Sequence, residues 1–174
     1  IPNRADADAL PRMVTRLGRR HASEPLIRQT SPRGDAMYWI GKTFEAMEKR
    51  NDAIKQLEQL LAAFPHAPVS RRAHLALGNL YYAGEQWNEA IKKYRVIVDD
   101  PNPDPTLLPS AMSNLIETYD VAGAFDGALS LTRKYLERYP NNEDALDKKI
   151  RIGILYTKLG YYDQAALHLQ ALLD

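Results

Sequence analysis

The chain has 174 residues and a formal net charge of +1, with 45% hydrophobic and 26% charged residues, enough for one substantial domain or a short repeat array. It has no cysteine, which excludes disulfides, thiolate catalysis and cysteine-ligated zinc. No apolar run approaches the roughly 18 residues that a membrane-spanning helix needs.

In chain order, residues 1–33 form a basic segment of net charge +4, in which seven arginines face Asp6, Asp8 and Glu24. The remaining body carries −3 and gathers no basic–aromatic patch, so nucleic-acid binding is not expected. Leu10, Met13, Val14 and Leu17 recur at helical spacing, and Pro11 is tolerated in a first turn. A short amphipathic helix is predicted over roughly 11–20, as a cap on the first unit of the body or as the remnant of an earlier unit. The opening IPNRADADAL has neither an initiator Met nor the apolar core of a signal peptide. A processed product or a piece of a longer protein is therefore expected.

From residue 34 onward the periodicity is helical. Met37, Ile40 and Phe44 mark one apolar face, and Ile54, Leu57, Leu60 and Leu61 mark the next. Leu77, Leu80 and Tyr81 come after them, then Ile91, Tyr94, Ile97 and Val98, with Gly84 ending one helix and Trp87 opening another. Phe64-Pro65 and Tyr139-Pro140 predict helix stops, because proline pushes the preceding residue out of the helical region.

The segments also repeat. Gly41, Gly78 and Gly153 are each followed three residues later by an aromatic (Phe44, Tyr81, Tyr156) and twelve residues later by alanine (Ala53, Ala90, Ala165). A weaker copy carries Tyr119 and Ala128, with Ile116 where the glycine belongs. The aligned alanines are spaced by 37, 38 and 37 residues. Four copies in register indicate a helical solenoid, in which each unit buries its apolar face against the next. A small residue is needed where two helices cross closely, so Gly41, Gly78 and Gly153 are expected to meet Ala53, Ala90 and Ala165.

This pattern of glycine, aromatic, alanine and closing proline resembles the tetratricopeptide repeat (TPR) family, over residues 34–174. The spacing is three or four residues longer than the usual ~34. The excess falls in HAPVS (66–70), NPDPTLLPS (102–110) and NNEDA (141–145). The resemblance implies an all-α, right-handed superhelix of four helix–turn–helix units, at about 34–70, 71–108, 109–145 and 146–174. It implies that the first helices line a concave groove for an extended peptide or partner helix. Carried over by position, the groove residues are Tyr38, Lys42 and Glu45, then Leu75, Asn79 and Tyr82. The third unit adds Ser113, Glu117 and Asp120, and the fourth Ile150, Ile154 and Thr157. Glu117 and Asp120 would repel a carboxylate, so the clamp that holds chaperone C-termini is not expected. Tyr38, Leu75 and Tyr82 suit a peptide with apolar anchors, or else contact residues 1–33 or a neighbouring repeat.

Other motifs are weaker. Arg33-Gly34-Asp35 is an adhesion tripeptide, but Asp35 is expected in a helical first turn, where negative charge is favoured. Asp100, Asn102 and Asp104 alternate as at the start of a calcium loop, yet the required glycine and closing glutamate are missing, and Pro101, Pro103 and Pro105 indicate a stiff connector. The four histidines show no ligand spacing, with His74 placed on an inner helical face. Neither a phosphate-binding glycine loop nor a catalytic constellation is present, so no cofactor and no enzymatic activity are expected. The last helix carries Leu167, Leu169, Leu172 and Leu173 without a polar cap, so the natural protein is expected to continue past Asp174.

These readings converge on a scaffold or adaptor that binds a protein or peptide partner. The long period, with stretches such as YPNNEDAL, is similar to bacterial cell-envelope TPR proteins of outer-membrane assembly and of the Tol–Pal system. That resemblance implies a periplasmic protein in envelope assembly, with a membrane-associated complex as one setting for it. The absence of cysteine fits an oxidising compartment, where stray thiols are avoided, and with chance as the other explanation it only nudges the localisation that way. A cytoplasmic adaptor, an internal spacer of a longer solenoid without a groove ligand, and a regulatory subunit of an enzyme remain alternatives.

Overall fold

The computed structural model describes residues 31–173, so the expected helix at 11–20 and the rest of the basic segment up to residue 30 lie outside the described residues. Eight α-helices and no strand are found among the described residues. They pair as α1 (Pro32–Ala46) with α2 (Arg50–Ala63), α3 (Pro68–Ala83) with α4 (Trp87–Val98), α5 (Leu108–Val121) with α6 (Phe125–Arg138), and α7 (Ala145–Lys158) with α8 (Tyr162–Gln170). Each helix packs on its sequence neighbour, and the first helices of successive hairpins also touch, α1 with α3 and α3 with α5. The all-α solenoid expected from the repeat is the observed architecture.

Pro68 and Pro109, which the sequence placed in connectors, open helices instead, as does Pro32. Pro32, Pro68 and Pro109 occupy first-turn positions, where the missing N–H is no loss. Ser31 caps α1 by accepting from the Gly34 amide at 3.2 Å, and Asp35 lies in the first turn as expected. Phe64 and Tyr139, each before a proline, close their helices in non-helical conformations (φ −137° and −129°). Pro101, Pro103 and Pro105 belong to a connector held by side chains. Arg71 grips Asp100 at 2.9 Å, and the Asp104 carboxylate accepts from the Thr106 amide at 2.9 Å. Those carboxylates serve the chain's own guanidinium and amides.

The turn inside each hairpin recurs with the same geometry. Residues 48, 85, 123 and 160 hold left-handed φ values of 60°, 58°, 75° and 81°. The next residue's amide then donates back to the repeat's aromatic, Phe44, Tyr81, Tyr119 or Tyr156, at 2.8–2.9 Å. This is the 6→1 helix-closing bond of a Schellman turn. Two of these positions are glycine and two are glutamate.

Ala53, Ala90, Ala128 and Ala165 are all buried, and one core runs through the first three hairpins on Leu57, Leu60, Leu77, Leu80, Tyr94, Leu115, Ile116 and Tyr135. A smaller cluster of Ala128, Leu129, Ile152 and Leu155 joins the third hairpin to the fourth. The glycines pack otherwise than expected. A Cβ at Gly41, Gly78 or Gly153 would run first into Leu57, Tyr94 or Leu169, sixteen residues on, rather than into the alanine. In the third copy the bulk is exchanged: Ile116 takes the glycine position and Thr132 the large-residue position, both fully buried. Ile40, expected on the packed face, is 46% exposed, whereas its equivalents Leu77, Leu115 and Ile152 are buried. Those three are covered within the stack, and α1 is the first helix described.

Candidate functional site: a recess between the first helices

The recess begins with Gly78. Because α3 has no side chain there, the Tyr94 ring of α4 lies against its backbone, with Cε1 only 2.3 Å from where a Cβ would stand. The ring is 1% exposed, yet its hydroxyl reaches the other side of α3 and donates to Asn79 Oδ1 at 2.8 Å. A residue of a second helix thus contributes to the surface built by the first helices. From α5, Asn114 Nδ2 donates to the same Asn79 oxygen at 2.9 Å. One turn further along, the Tyr82 hydroxyl donates to Glu117 Oε1 at 3.2 Å. Asn79, Tyr82, Tyr94, Asn114 and Glu117 line a recess of about 220 Å³.

Its electrostatics follow from these contacts. Burial raises the Tyr94 and Tyr82 phenols above their ordinary range, and the Glu117 charge adds to the effect at Tyr82. Both are therefore neutral donors at pH 7. With Asn79 Oδ1 occupied twice, Asn79 Nδ2 and Asn114 Oδ1 are left for a ligand. Glu117 accepts only from Tyr82, and among the described residues no basic side chain pairs with it. Asp120, one turn further on, is held by Arg151 at 3.0 Å and by Lys158.

Of the positions carried over from sequence, Asn79, Tyr82 and Glu117 come together here. Tyr38 lies under the Arg72 guanidinium, 4.5 Å from the ring centroid, with Trp39 edge-on at 5.5 Å. Lys42 pairs with Glu45 on its own helix. Leu75 packs against the first core. Ser113 donates to Asp144 at 3.4 Å, and Thr157 back-bonds to the Gly153 carbonyl at 3.1 Å. Ile150 and Ile154 are exposed on α7, 39% and 46%, and take no part in the recess.

Tyr94 and Asn114 were missed from sequence. Tyr94 carries the apolar period of its helix, so nothing local announces that its hydroxyl emerges beyond α3. Asn114 could have been found: Ala76 and Arg151 occupy the same repeat position, and a polar residue at a place that is buried as Ala76 signals a specific bond. His74 lies on the inner face expected for it, with Nδ1 buried and unpartnered, and burial and Lys93 lower its pKa to about 4. It stands neutral in the core. No group of three His, Cys, Asp or Glu side chains suited to a metal occurs among the described residues.

The tetratricopeptide repeat family model matches residues 38–105, the segment holding α3 and α4 with most of α1 and all of α2. Solved structures share the fold at low identity. The nearly identical TPR-like repeats of a candidate kinesin light chain from Podosopora anserina are 17% identical, with a TM-score of 0.66 over 83% of this chain and 76% of that one. The MamA protein is 22% identical, with a TM-score of 0.64 over 79% and 69%. A tetratricopeptide repeat protein from Parabacteroides merdae ATCC 43184 is 18% identical, with a TM-score of 0.67 over 80% of this chain and 52% of that chain.

Proposed function

With residues 38–105 matching tetratricopeptide repeats inside a TPR-like solenoid, we propose that this chain is a non-catalytic scaffold that holds an extended segment of a partner protein along its first helices. TPR folds generally serve protein–protein interaction. The observation that carries the reading is the recess at Asn79, Tyr82 and Asn114. It offers an aromatic wall beside one free amide donor and one free amide acceptor. An extended peptide presents the complementary pair at every residue, and an aromatic wall excludes water from the bonds so formed.

Peptides selected against the chain from a random displayed library provide the test. Their affinity for Tyr82→Ala should fall by about thirtyfold, the scale of an aromatic hot spot. Equal binding to a Tyr82→Ala protein of unchanged helix content would sink the groove reading.

Two observations support a place in the bacterial envelope: the long 37–38 period and the absence of cysteine. Within this proposal the chain acts in envelope assembly from the periplasm, and recovery of the full-length gene product in the cytosol of fractionated cells would overturn it.

One observation favours the spacer reading. Leu146, Ile150 and Ile154 form an exposed apolar stripe on α7. The equivalent flank of α1 meets the next hairpin, where Gly34 abuts Val69 and Tyr38 meets Arg72. In a longer array the same stripe would carry a further hairpin, and such a spacer would bind none of the selected peptides.

A further inference from the structure

Resting on the groove reading, we infer that the recess is a subsite for a cationic side chain, so that the bound segment places an arginine or lysine against Glu117. The three carboxylates at groove positions, Glu45, Glu117 and Asp120, divide into two kinds. Asp120 is 12% exposed at its side chain and is saturated by Arg151 and Lys158. Glu45 is paired with Lys42. Glu117 is exposed, takes one phenol hydrogen bond, and has no cation of its own among the described residues. It stands at the rim of a recess whose other walls are two neutral phenols and two carboxamides. Arg151 and Lys158 cannot relieve it without leaving Asp120, where both already converge.

The walls suit a guanidinium or ammonium group. The ring of Tyr82 is kept in place by an edge-on Trp87 with centroids at 5.2 Å, and its hydroxyl is already directed to Glu117. A cation entering beside that ring gains the carboxylate and the ring's electron-rich face together. Asn114 Oδ1, which carries no proton, can accept a further N–H from the same group. An acidic side chain would meet the Glu117 charge, and an aliphatic one would take water from that carboxylate and supply neither a charge nor a donor in return. The selectivity is thus for positive charge and not for size.

The test uses the 174-residue chain and two acetylated, amidated pentapeptides, Ala-Ala-Arg-Ala-Ala and the same sequence with citrulline, the neutral isostere of arginine. Binding is followed by NMR on the side-chain amides of Asn79 and Asn114 and the indole of Trp87. The arginine peptide should bind about tenfold more tightly than the citrulline peptide at low salt, and the difference should shrink as salt rises. Glu117→Gln, which keeps the shape of an exposed side chain, should bring the two peptides to equal affinity by weakening the arginine peptide to the level of the citrulline peptide. With a third peptide, Ala-Ala-Glu-Ala-Ala, Glu117→Lys should reverse the preference, so that the glutamate peptide binds more tightly than the arginine peptide. Equal shifts by both peptides on the unaltered protein would overturn the cation subsite and leave the groove reading standing. No shift by any peptide at millimolar concentration would overturn both. A preference for arginine that survives Glu117→Gln would assign the cation to another carboxylate and overturn the inference.

Discussion

The residue that decides most about this surface is one with no side chain. Gly78 and Tyr94 are a matched pair: the missing Cβ is what lets the ring pass under α3 and deliver its hydroxyl to Asn79. Gly78→Ala should therefore lose stability, although alanine in a helix is worth about 1 kcal/mol over glycine. The added methyl must displace a ring that is 1% exposed and held at its far end. Overpacking of that kind costs roughly 1–3 kcal/mol, so we expect a net loss of about 1 kcal/mol in urea unfolding, with weakened peptide binding. Gly153→Ala is the internal control. Its neighbour Leu169 is half-buried on the last described helix and can swing aside, so that variant should be within about 0.5 kcal/mol of the parent. Equal losses from the two substitutions would show that helix propensity, not the ring, sets the outcome.

At the scale of the element, the hairpin turn is a single device used four times, and two copies are built from the wrong residue. Glu48 and Glu85 occupy the left-handed position that Gly123 and Gly160 fill in the other hairpins. A non-glycine residue there costs about 1–2 kcal/mol, part of which glycine gives back through the freedom of its unfolded chain. Glu85→Gly should accordingly raise stability by about 0.5 kcal/mol, while Gly123→Ala should lower it by about 1 kcal/mol. The second substitution isolates the backbone, since a Cβ at Gly123 meets nothing within 4 Å. Thermal melts read both, and an unchanged midpoint for Gly123→Ala would remove strain from the account. The same turns show what a sequence can and cannot say. Gly, aromatic and Ala at constant spacing revealed the solenoid, because close crossings require a small residue at the four buried alanines and, in three of the copies, at the glycine. The left-handed position stayed hidden because glutamate gives no sign of it. In the recess, Asn79, Tyr82 and Glu117 were legible as groove positions of two successive first helices, carried over from the TPR resemblance, whereas Tyr94 arrives from another element through a gap that only the packing of Gly78 creates.

For the molecule as a whole, the two cores imply that stability is not shared evenly. The first three hairpins are joined by one continuous core, whereas the fourth is fixed by Ile152 and Leu155 against Ala128 and Leu129. Its last helix, α8, buries only Ala165. In a solenoid each unit gains from its neighbours alone, so a weak interface lets one hairpin open while the others persist. The recess belongs to α3, α4 and α5, within the stronger core, and so should keep its geometry while α7 and α8 come and go. Hydrogen exchange under native conditions should show α8 amides exchanging at least about tenfold faster than those of α3 and α4. Leu155→Ala, which removes a fully buried side chain at a cost of roughly 2–5 kcal/mol, should widen that gap by releasing the fourth hairpin and leave protection in α3 unchanged. If the substitution instead accelerated exchange equally in α3 and α8, the chain would be unfolding as one cooperative unit. Glu117 would then owe its position to all four hairpins, and peptide binding would fall with Leu155→Ala as well.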